Sequence, residues 1–237
     1  MIILRKVALF CILFFSFLNF SNASTSSAHE YVLMDMKSGR VLKGKNYNSP
    51  VLIASITKIM SCLLAVESKK LDETVMVSDI IKKSYGSGIY IEVGEEITLR
   101  DLLYGLMLRS GNDAALMVAE YVGKDVDNFV SMMNKKAKSI GMLHTTFVNP
   151  SGLDNTDSGN YSTAYDMALI ARYCMENTTF RNIVSKTSCT IKATDKYQER
   201  YFKNTNDLIN PSSKYYYKYA IGIKTGFTSQ AKNCLIS

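Results

Sequence analysis

The sequence predicts an α+β fold in which a sheet, assembled from distant segments of the chain, is covered by helices. Strand-like runs lie near both ends of the chain, and helical patterns occupy much of the region between them. Strands at both ends with helices between them imply this arrangement of layers. Because no repeat, low-complexity tract or linker divides the 237 residues, we expect one domain of ordinary size.

The strand predictions rest on short apolar or strand-like runs that end at turn residues. Lys37-Ser38-Gly39 separates two such runs and indicates a hairpin, and Gly226 closes a later run. The predicted strands are Tyr31–Asp35, Arg40–Leu42, Thr145–Val148, Ser188–Ala193 and Tyr219–Lys224, with Asn233–Ser237 as the start of another.

The helix predictions rest on capping residues and apolar spacing. Thr98 and Asp101 form one capping box, Thr163 and Asp166 form a second, and Gly141 is a C-terminal stop signal. The predicted helices are Ile53–Glu67, a segment from the first capping box to near Ser110, Asp113–Tyr121, Asp127–Ile140, and a segment from the second capping box to Glu176.

The first residues predict an export signal. Arg5 and Lys6 form a basic start, the apolar run Val7–Phe20 follows, and small residues lead to a cleavage site after Ala23. The apolar run is too short and too interrupted by polar residues for a membrane-spanning helix. We therefore expect residues 1–23 to be a signal peptide and the mature protein to be secreted or extracytoplasmic.

The charge balance is mildly basic. The formal net charge is +7, and removal of Arg5 and Lys6 with the signal leaves +5 (7 minus 2). No block of like charge indicates a nucleic-acid-binding arm, so no nucleic-acid partner is expected. The basic excess fits association with a cell wall or the outer face of a membrane, and it fits ordinary solvated lysines equally well.

Cysteine and histidine usage argues against a metal centre. Cys62, Cys174, Cys189 and Cys234 are widely spaced and form no C-x-x-C pattern. We expect them to be small buried hydrophobes, although export permits a disulfide between an unspecified pair. Neither of the two histidines lies in a context typical of a serine-histidine-aspartate site. We predict no metal and no cofactor.

Three short motifs supply the groups needed for acyl transfer through a serine ester. They are Ser55-Ile56-Thr57-Lys58, Ser110-Gly111-Asn112 and Lys224-Thr225-Gly226. Positions three apart on a helix share a face, so the Ser55 hydroxyl and the Lys58 amine would point into the same space. A lysine acts as a base only when it is neutral, and burial or a second cation such as Lys224 lowers its pKa. Ser110 and Asn112 would bridge the nucleophile, the base and the substrate amide.

The same motifs offer groups that could bind negative charge on the substrate. Ser55, near a helix N-terminus, has free backbone N–H groups for an oxyanion, and the Phe227 N–H is the second candidate donor. Lys224 and Thr225 could hold a substrate carboxylate.

Each motif alone is a weak signal. A second S-x-x-K, Ser229–Lys232, and a second S-x-N, Ser158–Asn160, occur in the same chain. Taken separately, the three motifs are also compatible with a helix N-cap beside a solvated lysine, a helix-ending turn and an ordinary strand end.

The surroundings of the motifs separate the copies, because they closely resemble the D-alanyl-D-alanine carboxypeptidase family, the low-molecular-mass penicillin-binding proteins. The resemblance runs from about Tyr31 to the C-terminus. The segments that carry it are Ala54–Met60, Asp101–Ala115, Asn149–Leu153, Tyr161–Asp166 and Gly222–Thr228.

The resemblance implies a β-lactamase/transpeptidase-like fold, in which helices flank an antiparallel β-sheet and an all-helical region lies beside it. It implies removal of the terminal D-alanine from the stem peptides of bacterial peptidoglycan through an acyl-serine, with β-lactam antibiotics as covalent inhibitors. The implied roles are nucleophile for Ser55, acylation base for Lys58, bridge for Ser110 and Asn112, carboxylate binding for Lys224 and Thr225 beside Gly226, and oxyanion hole for the N–H groups of Ser55 and Phe227.

Two other functions remain open on the same residues. Class A β-lactamases use an additional glutamate for deacylation, and Glu120, Glu176 and Glu199 lack an E-x-x-x-N setting, so slow release of penicillin is predicted. The second is an inactive secreted remnant with a peptidoglycan-binding or regulatory role, which would keep the same cleft but would not turn over a substrate.

The resemblance also raises an expectation about the C-terminus. The chain ends eleven positions after Gly226 (237 minus 226), where the family continues with further strands and a closing helix. Residues 24–237 are therefore expected to form a catalytic domain that lacks its last sheet strands and closing helix. An uncovered sheet face and an unpaired edge would reduce stability and weaken activity.

Overall fold

The computed structural model describes residues 26–155 and 157–237. The predicted signal peptide, residues 1–23, lies outside the described residues. The described part of the chain contains six α-helices and ten short strands, which confirms the predicted α+β class.

Two helices begin at the capping residues that the sequence predicts, Thr98 and Thr163. Thr98 Oγ1 accepts a hydrogen bond from the Asp101 N–H, and Thr163 Oγ1 accepts one from the Asp166 N–H. The helices are α1 (Lys58–Glu67), α2 (Leu99–Tyr104), α3 (Asn112–Gly123), α4 (Val126–Ser139), α5 (Ala164–Glu176) and α6 (Thr178–Val184). None of these helices of the described chain has the length and apolar character needed to cross a bilayer.

The strands pair antiparallel in five two-stranded sheets. They are β1 (Tyr31–Met34), β2 (Val41–Lys45), β3 (Val51–Leu52), β4 (Thr74–Met76), β5 (Glu96–Thr98), β6 (Tyr161–Ser162), β7 (Ser188–Ile191), β8 (Arg200–Lys203), β9 (Lys224–Thr228) and β10 (Lys232–Ile236). The pairs are β1–β2, β3–β6, β4–β5, β7–β8 and β9–β10, and the predicted Lys37-Ser38-Gly39 hairpin joins the first pair.

The pairing of the strands near the two ends of the chain differs from the prediction. The sequence predicts one sheet with strands from both ends, whereas β1 pairs with β2 and β9 pairs with β10 in the described residues. The pair that does join distant segments is β3 with β6, where Val51 lies opposite Ser162. The end pairs are held by packing instead, because α5 lies against β1 and the turn before α1 lies against β9.

Two strand predictions are wrong in position. The strand predicted at Tyr219–Lys224 spans Lys224–Thr228, so Gly226 lies inside the strand that it is predicted to close. Of the strand predicted at Thr145–Val148, only one bridge, to Tyr161, forms. In both places the pairing partner decides where a strand extends, and local composition does not contain that information.

Helix α1 is the centre of the core. Every residue from Lys58 to Val66 is buried, and α1 packs against α3, α4, α5 and α6. A helix that is apolar around its whole circumference is expected to be enclosed in this way. Lys58 is the basic residue of this helix and is fully buried, and burial of a charge is costly unless the group becomes neutral.

The four cysteines of the described chain are free thiols. Cys62 and Cys174 are buried, as predicted, whereas Cys189 and Cys234 are only partly buried. Those two lie on short paired strands rather than in the central helices, so one side of each remains accessible.

Candidate active site

Ser55 lies in a 3₁₀ turn, Ala54–Thr57, that leads directly into α1. Ala54 has a φ of 45°, a left-handed conformation that costs a residue with a side chain about 1–3 kcal/mol. Such strain persists only where the surrounding structure imposes it. Asn160 Nδ2 donates to Thr57 Oγ1 at 2.9 Å and holds the turn in place.

Lys58 brings its amine to the Ser55 hydroxyl. The distance between Lys58 Nζ and Ser55 Oγ is 3.0 Å. Nζ also lies 2.8 Å from Asn112 Oδ1 and 2.6 Å from the Ser151 carbonyl oxygen. Because the lysine is fully buried, these three oxygens take the place of water as hydrogen-bond partners.

The three partners of Lys58 differ in what they can donate. Asn112 Oδ1 and the Ser151 carbonyl only accept hydrogen bonds, whereas the Ser55 hydroxyl can also donate one. A neutral amine has two N–H bonds and one lone pair, which match two acceptors and one O–H donor. The arrangement therefore satisfies a neutral lysine completely, with the Ser55 proton available to its lone pair.

Burial and a neighbouring cation both favour that neutral form. Burial lowers the pKa of Lys58 well below its ordinary value of 10.5, the positive charge of Lys224 lowers it further, and Asp113 opposes the shift. Burial also lowers the pKa of Lys224 to about 7. The sequence predicts a second lysine near Lys58, and in the fold the charge of Lys224 acts on Lys58.

The turn 149–152 supplies the Ser151 carbonyl. Asn149 Oδ1 accepts a hydrogen bond from the Gly152 N–H at 2.7 Å, which closes the turn. Gly152 has a φ of +85° and packs so tightly that a Cβ there would lie 1.9 Å from the Ala54 carbonyl oxygen. A side chain at this position would push the turn away from Ser55. The role of a backbone carbonyl cannot be read from residue types, so sequence reasoning misses this contact.

Asn112, the first residue of α3, is held in one orientation. Its Nδ2 donates to the Tyr85 carbonyl at 2.6 Å, which leaves Oδ1 for the lysine. The neighbouring Asp113 carboxylate accepts from the N–H groups of Ile89 and Tyr90 at 3.0 and 2.7 Å. These contacts tie the segment before β5 to the start of α3.

Ser110 occupies the cleft without forming the bridge that is predicted for it. It has a φ of 65° and caps the π-helical turn Gly105–Arg109 that follows α2. In the described residues, its hydroxyl is not hydrogen-bonded to Ser55 or Lys58. The physical reason is that Ser55, Asn112 and the Ser151 carbonyl already occupy the three positions around the amine.

Strand β9 forms the facing wall. A Cβ at Gly226 would lie 3.0 Å from the Ser55 nitrogen, so the strand passes directly against the turn that carries Ser55. Thr225 Oγ1 lies 2.6 Å from Thr205 Oγ1. Lys224 is 1% exposed, and its Nζ donates to the Thr225 carbonyl at 2.8 Å.

A cleft of about 590 Å³ lies between the two walls. The predicted site residues that line it are Ser55, Ser110, Thr225, Gly226 and Phe227. Lys58, Asn112 and Lys224 are buried behind this lining. The second motif copies, Ser158–Asn160 and Ser229–Lys232, do not line the cleft, so the fold distinguishes the copies as their sequence surroundings do.

A buried ion pair that the sequence does not reveal braces the same region. Arg200 donates to the two Glu95 carboxylate oxygens at 2.7 and 2.8 Å, and its Nε donates to the Ile89 carbonyl at 3.1 Å. The pair joins β8 to the segment before β5. Removal of one partner from such a pair typically costs about 3–5 kcal/mol.

Sequence comparisons relate this chain to known proteins. The peptidase S11 family model, described as D-alanyl-D-alanine carboxypeptidase, matches residues 19–237. D-alanyl-D-alanine carboxypeptidase DacF of Bacillus subtilis is 38% identical over 217 residues, which cover 88% of this chain and 54% of the relative. D-alanyl-D-alanine carboxypeptidase DacB2 of Mycobacterium tuberculosis is 32% identical over 209 residues, which cover 88% of this chain and 69% of the relative. The chain thus spans about half the length of the Bacillus protein.

Solved structures show the same fold. A D-alanyl-D-alanine carboxypeptidase from Mycobacterium tuberculosis matches with a TM-score of 0.80 at 33% identity, covering 87% of this chain and 75% of the other. A mutant of the Streptomyces K15 DD-transpeptidase matches with a TM-score of 0.81 at 33% identity, covering 89% of this chain and 85% of the other. These matches confirm the transpeptidase-like fold. The chain belongs to the D-alanyl-D-alanine carboxypeptidase family, peptidase S11.

Proposed function

We propose that this protein is a serine-type D-Ala-D-Ala carboxypeptidase that removes the terminal D-alanine of peptidoglycan stem peptides through an acyl-Ser55 intermediate. The observation that carries the proposal is the buried Lys58 amine, 3.0 Å from the Ser55 hydroxyl. Relatives named as D-alanyl-D-alanine carboxypeptidases, at 38% and 32% identity, support the same activity.

In the proposed acylation, Ser55 Oγ attacks the carbonyl carbon of the penultimate D-alanine while its proton passes to the neutral Lys58 amine. The C–N bond then breaks, and the departing D-alanine amine takes the proton from Lys58. Water attacks the ester next, gives one proton to Lys58, and Ser55 Oγ recovers that proton as the shortened peptide leaves. A well-placed general base contributes about 10²–10⁴-fold to such a step.

The facing wall is proposed to bind the substrate. Lys224 and Thr225 hold the terminal carboxylate, because a cation buried behind an accessible hydroxyl attracts an anion at that point of the cleft. The N–H groups of Ser55 and Phe227 form the oxyanion hole. Gly226 supports this arrangement, since its close approach brings the strand backbone to Ser55.

Penicillin is proposed to acylate Ser55, and the resulting acyl-serine ester is proposed to hydrolyse slowly. Glu120, Glu176 and Glu199, the glutamates considered as a deacylation base, do not line the cleft. Glu120 is engaged with the Ser78 hydroxyl. A carboxylate at these positions cannot activate water at the ester, which favours a penicillin-binding enzyme over a β-lactamase.

Labelling of the full chain with a fluorescent penicillin tests the nucleophile. We expect a covalent label that survives denaturing electrophoresis, no label on Ser55→Ala, and full labelling of Ser229→Ala, which changes the second S-x-x-K copy. Release of D-alanine from an acylated peptide ending in D-Ala-D-Ala measures the activity itself.

Two outcomes would favour the other functions. A wild-type chain with a folded circular-dichroism spectrum and no label would identify an inactive peptidoglycan-binding or regulatory remnant. Rapid repeated turnover of benzylpenicillin would identify a β-lactamase.

The proposed site of action is outside the cytoplasm, at the cell wall or the outer face of the membrane. The leader pattern of residues 1–23 and the net charge of +5 that remains after its removal (7 minus 2) support this location. N-terminal sequencing of the exported protein should begin at Ser24.

A further inference from the structure

We propose that Asp113 and Arg200 are positioning residues for the general base, Lys58. They act through the segment 85–90, which they hold in place and which in turn fixes the side-chain amide of Asn112. The inference rests on the proposed function, in which this lysine accepts the proton of the nucleophile. Both positioning residues are buried, and both lie outside the three sequence motifs.

Asp113 is a buried carboxylate whose hydrogen-bond partners are backbone N–H groups. Its oxygens accept from the Ile89 N–H at 3.0 Å, the Tyr90 N–H at 2.7 Å and the Ala114 N–H at 2.8 Å. Across residues 26–155 and 157–237, it takes part in no salt bridge. A buried carboxylate has to be compensated by hydrogen bonds, so these N–H groups of the segment are held close to it.

Arg200 binds the same two residues at their carbonyl groups. Its Nε donates to the Ile89 carbonyl at 3.1 Å, and its Nη2 donates to the Tyr90 carbonyl at 3.0 Å. The Glu95 carboxylate fixes the guanidinium at 2.7 and 2.8 Å. The N–H and carbonyl groups of residues 89 and 90 are therefore all bonded to charged side chains, and such bonds are stronger than those between neutral groups.

The backbone at Tyr90 needs this support. Its φ of 59° lies in the left-handed region, which is unfavourable for a residue with a side chain. Tyr90 is 65% exposed, so burial of its ring does not impose that conformation. The bonds to Asp113 and Arg200 do, and the segment should relax when one of them is lost.

The segment 85–90 binds Asn112 at two atoms. The Tyr85 carbonyl accepts from Asn112 Nδ2 at 2.6 Å, and the Ser87 carbonyl accepts from the Asn112 backbone N–H at 2.7 Å. With Nδ2 bound in this way, Oδ1 faces Lys58 Nζ at 2.8 Å. Displacement of the segment would allow the amide to rotate and to exchange the positions of its oxygen and nitrogen.

The orientation of this amide decides whether Lys58 can act as a base. A neutral amine has one lone pair, which must face the Ser55 hydroxyl. Asn112 Oδ1 accepts an N–H of the amine and leaves that lone pair free, whereas a rotated amide would donate its own N–H to it. A lone pair engaged in this way cannot take the Ser55 proton, so acylation would slow although the substrate cleft is unchanged.

Saturation kinetics of labelling by a fluorescent penicillin test the two residues in the full chain. Asp113→Asn keeps the shape of the side chain and removes its charge. We expect the maximal rate of acylation to fall about 10- to 100-fold, as for a displaced catalytic group. The penicillin concentration that gives half of this rate should change less than about twofold. Arg200→Lys lacks the planar fork that reaches both carbonyls and should lower the maximal rate about 3- to 10-fold.

Asp166→Asn is the matched control. Asp166 is also a buried carboxylate in the first turn of a helix, and it accepts from the His144 N–H and the Thr145 hydroxyl, both at 2.8 Å. Its change should lower the midpoint of chemical denaturation, as Asp113→Asn does, without slowing acylation. An equal loss of rate in the two variants would show that Asp113 contributes stability alone, and would overturn the proposal.

A double-mutant cycle separates action through Asn112 from a direct effect of charge on Lys58. The negative charge of Asp113 opposes the lowering of the pKa of Lys58, so Asp113→Asn also changes the field at the amine. In the Asn112→Ala background, Asp113→Asn should change the acylation rate less than about twofold, because the amide that it positions is absent. A loss as large as in the wild-type background would assign the effect to charge and overturn the proposal.

Nuclear magnetic resonance of the Asn112 side-chain amide tests the inference without turnover. Its N–H signals, assigned by their absence from Asn112→Ala, should exchange with water about tenfold faster in Asp113→Asn than in the wild type. Arg200→Lys should shift exchange in the same direction, which keeps the test decisive if Asp113→Asn does not fold. Unchanged exchange would overturn the proposal. Faster exchange in a protein whose wild type is neither labelled nor releases D-alanine would overturn the proposed activity alone.

Discussion

The two walls of the cleft are built in opposite ways. The inner wall consists of the turn that carries Ser55 together with Lys58 and Asn112 behind it, and the outer wall is the facing wall formed by β9 and β10. On the inner wall, Lys58 is 0% exposed and Asn112 is 4% exposed, and their polar atoms are bonded to other protein groups. On the outer wall, Phe227 is 63% exposed and Leu235 is 52% exposed. Lys224 combines features of both walls. It belongs to β9 in the outer wall, but its side chain is buried as those of the inner wall are.

The difference reflects two physical requirements. A lysine becomes a base only where water cannot stabilise its charge, so proton transfer needs an enclosed and fully hydrogen-bonded wall. An incoming peptide needs accessible strand and side-chain surface, so recognition needs an open wall. Changes to the inner wall should therefore affect the rate of the chemical step, and changes to the outer wall should affect substrate binding.

The largest expected effect follows from Lys58→Ala on the inner wall. Loss of the base should lower the rate of labelling by a fluorescent penicillin about 10²–10⁴-fold. Stability should also fall, because Asn112 Oδ1 and the Ser151 carbonyl lose their donor. Time-resolved labelling with Lys138→Ala as the control measures this. A rate within tenfold of the wild type would show that Lys58 is not the base.

Gly226→Ala tests the contact between the walls. The added Cβ would lie 3.0 Å from the Ser55 nitrogen and 3.1 Å from the Ile56 nitrogen, and backbone atoms yield only if the turn moves. We expect labelling to slow about 10- to 100-fold, since a small displacement of a nucleophile is costly. Unchanged labelling kinetics would mean that the strand can shift without disturbing Ser55.

Lys224→Arg tests the buried cation of the outer wall. The mechanism needs Lys58 neutral and Lys224 charged, so with a pKa of about 7 for Lys224, kcat/KM of the wild type should fall about fivefold from pH 7 to pH 8. Arginine stays protonated, so the variant should lose this decline. A decline that persists in the variant would assign it to another group.

The same lysine makes a prediction about stability. The folded pKa of Lys224, about 7, is below its ordinary value of 10.5, so the unfolded chain binds more protons between these two pH values. The free energy of unfolding should therefore rise with pH across that window in the wild type. Chemical denaturation of Lys224→Met at pH 7 and pH 10 should show a smaller rise.

The smallest effect is expected for Thr205→Val. This change removes the hydroxyl that lies 2.6 Å from Thr225 Oγ1, a contact worth about 1 kcal/mol. We expect KM for a D-Ala-D-Ala peptide to rise two- to fivefold, with kcat retained. Thr205→Ser should restore KM, and a fall in kcat with KM unchanged would contradict the division of labour between the walls.

Local signals predict the helices better than the strands. The caps at Thr98 and Thr163 form as expected, because a helix cap is satisfied within four residues. The strand around Gly226 lies later in the chain than its composition indicates, because its pairing with β10 decides its extent. Strand pairing also explains why the sheet that the sequence predicts between the two chain ends does not form in the described residues, where each terminal strand pairs with its neighbour in sequence.

The candidate site divides in the same way. Ser55 and Lys58 are three residues apart, so the motif itself indicates their contact. The bond from Lys58 to Asn112 joins residues 54 apart, and the bond to the Ser151 carbonyl joins residues 93 apart. The three motifs predict the first of these bonds and not the second, since a carbonyl is common to every residue.

The order of the amino acids was enough to indicate the family and to predict a candidate nucleophile and a candidate base, because these depend on residue types at short, fixed spacings. Folding alone lowered the pKa of Lys58 and left the Ser110 hydroxyl without a bond to that amine. Both depend on desolvation, on the charge of Lys224 and on acceptors contributed by distant segments, which meet around one amine only when the chain is packed.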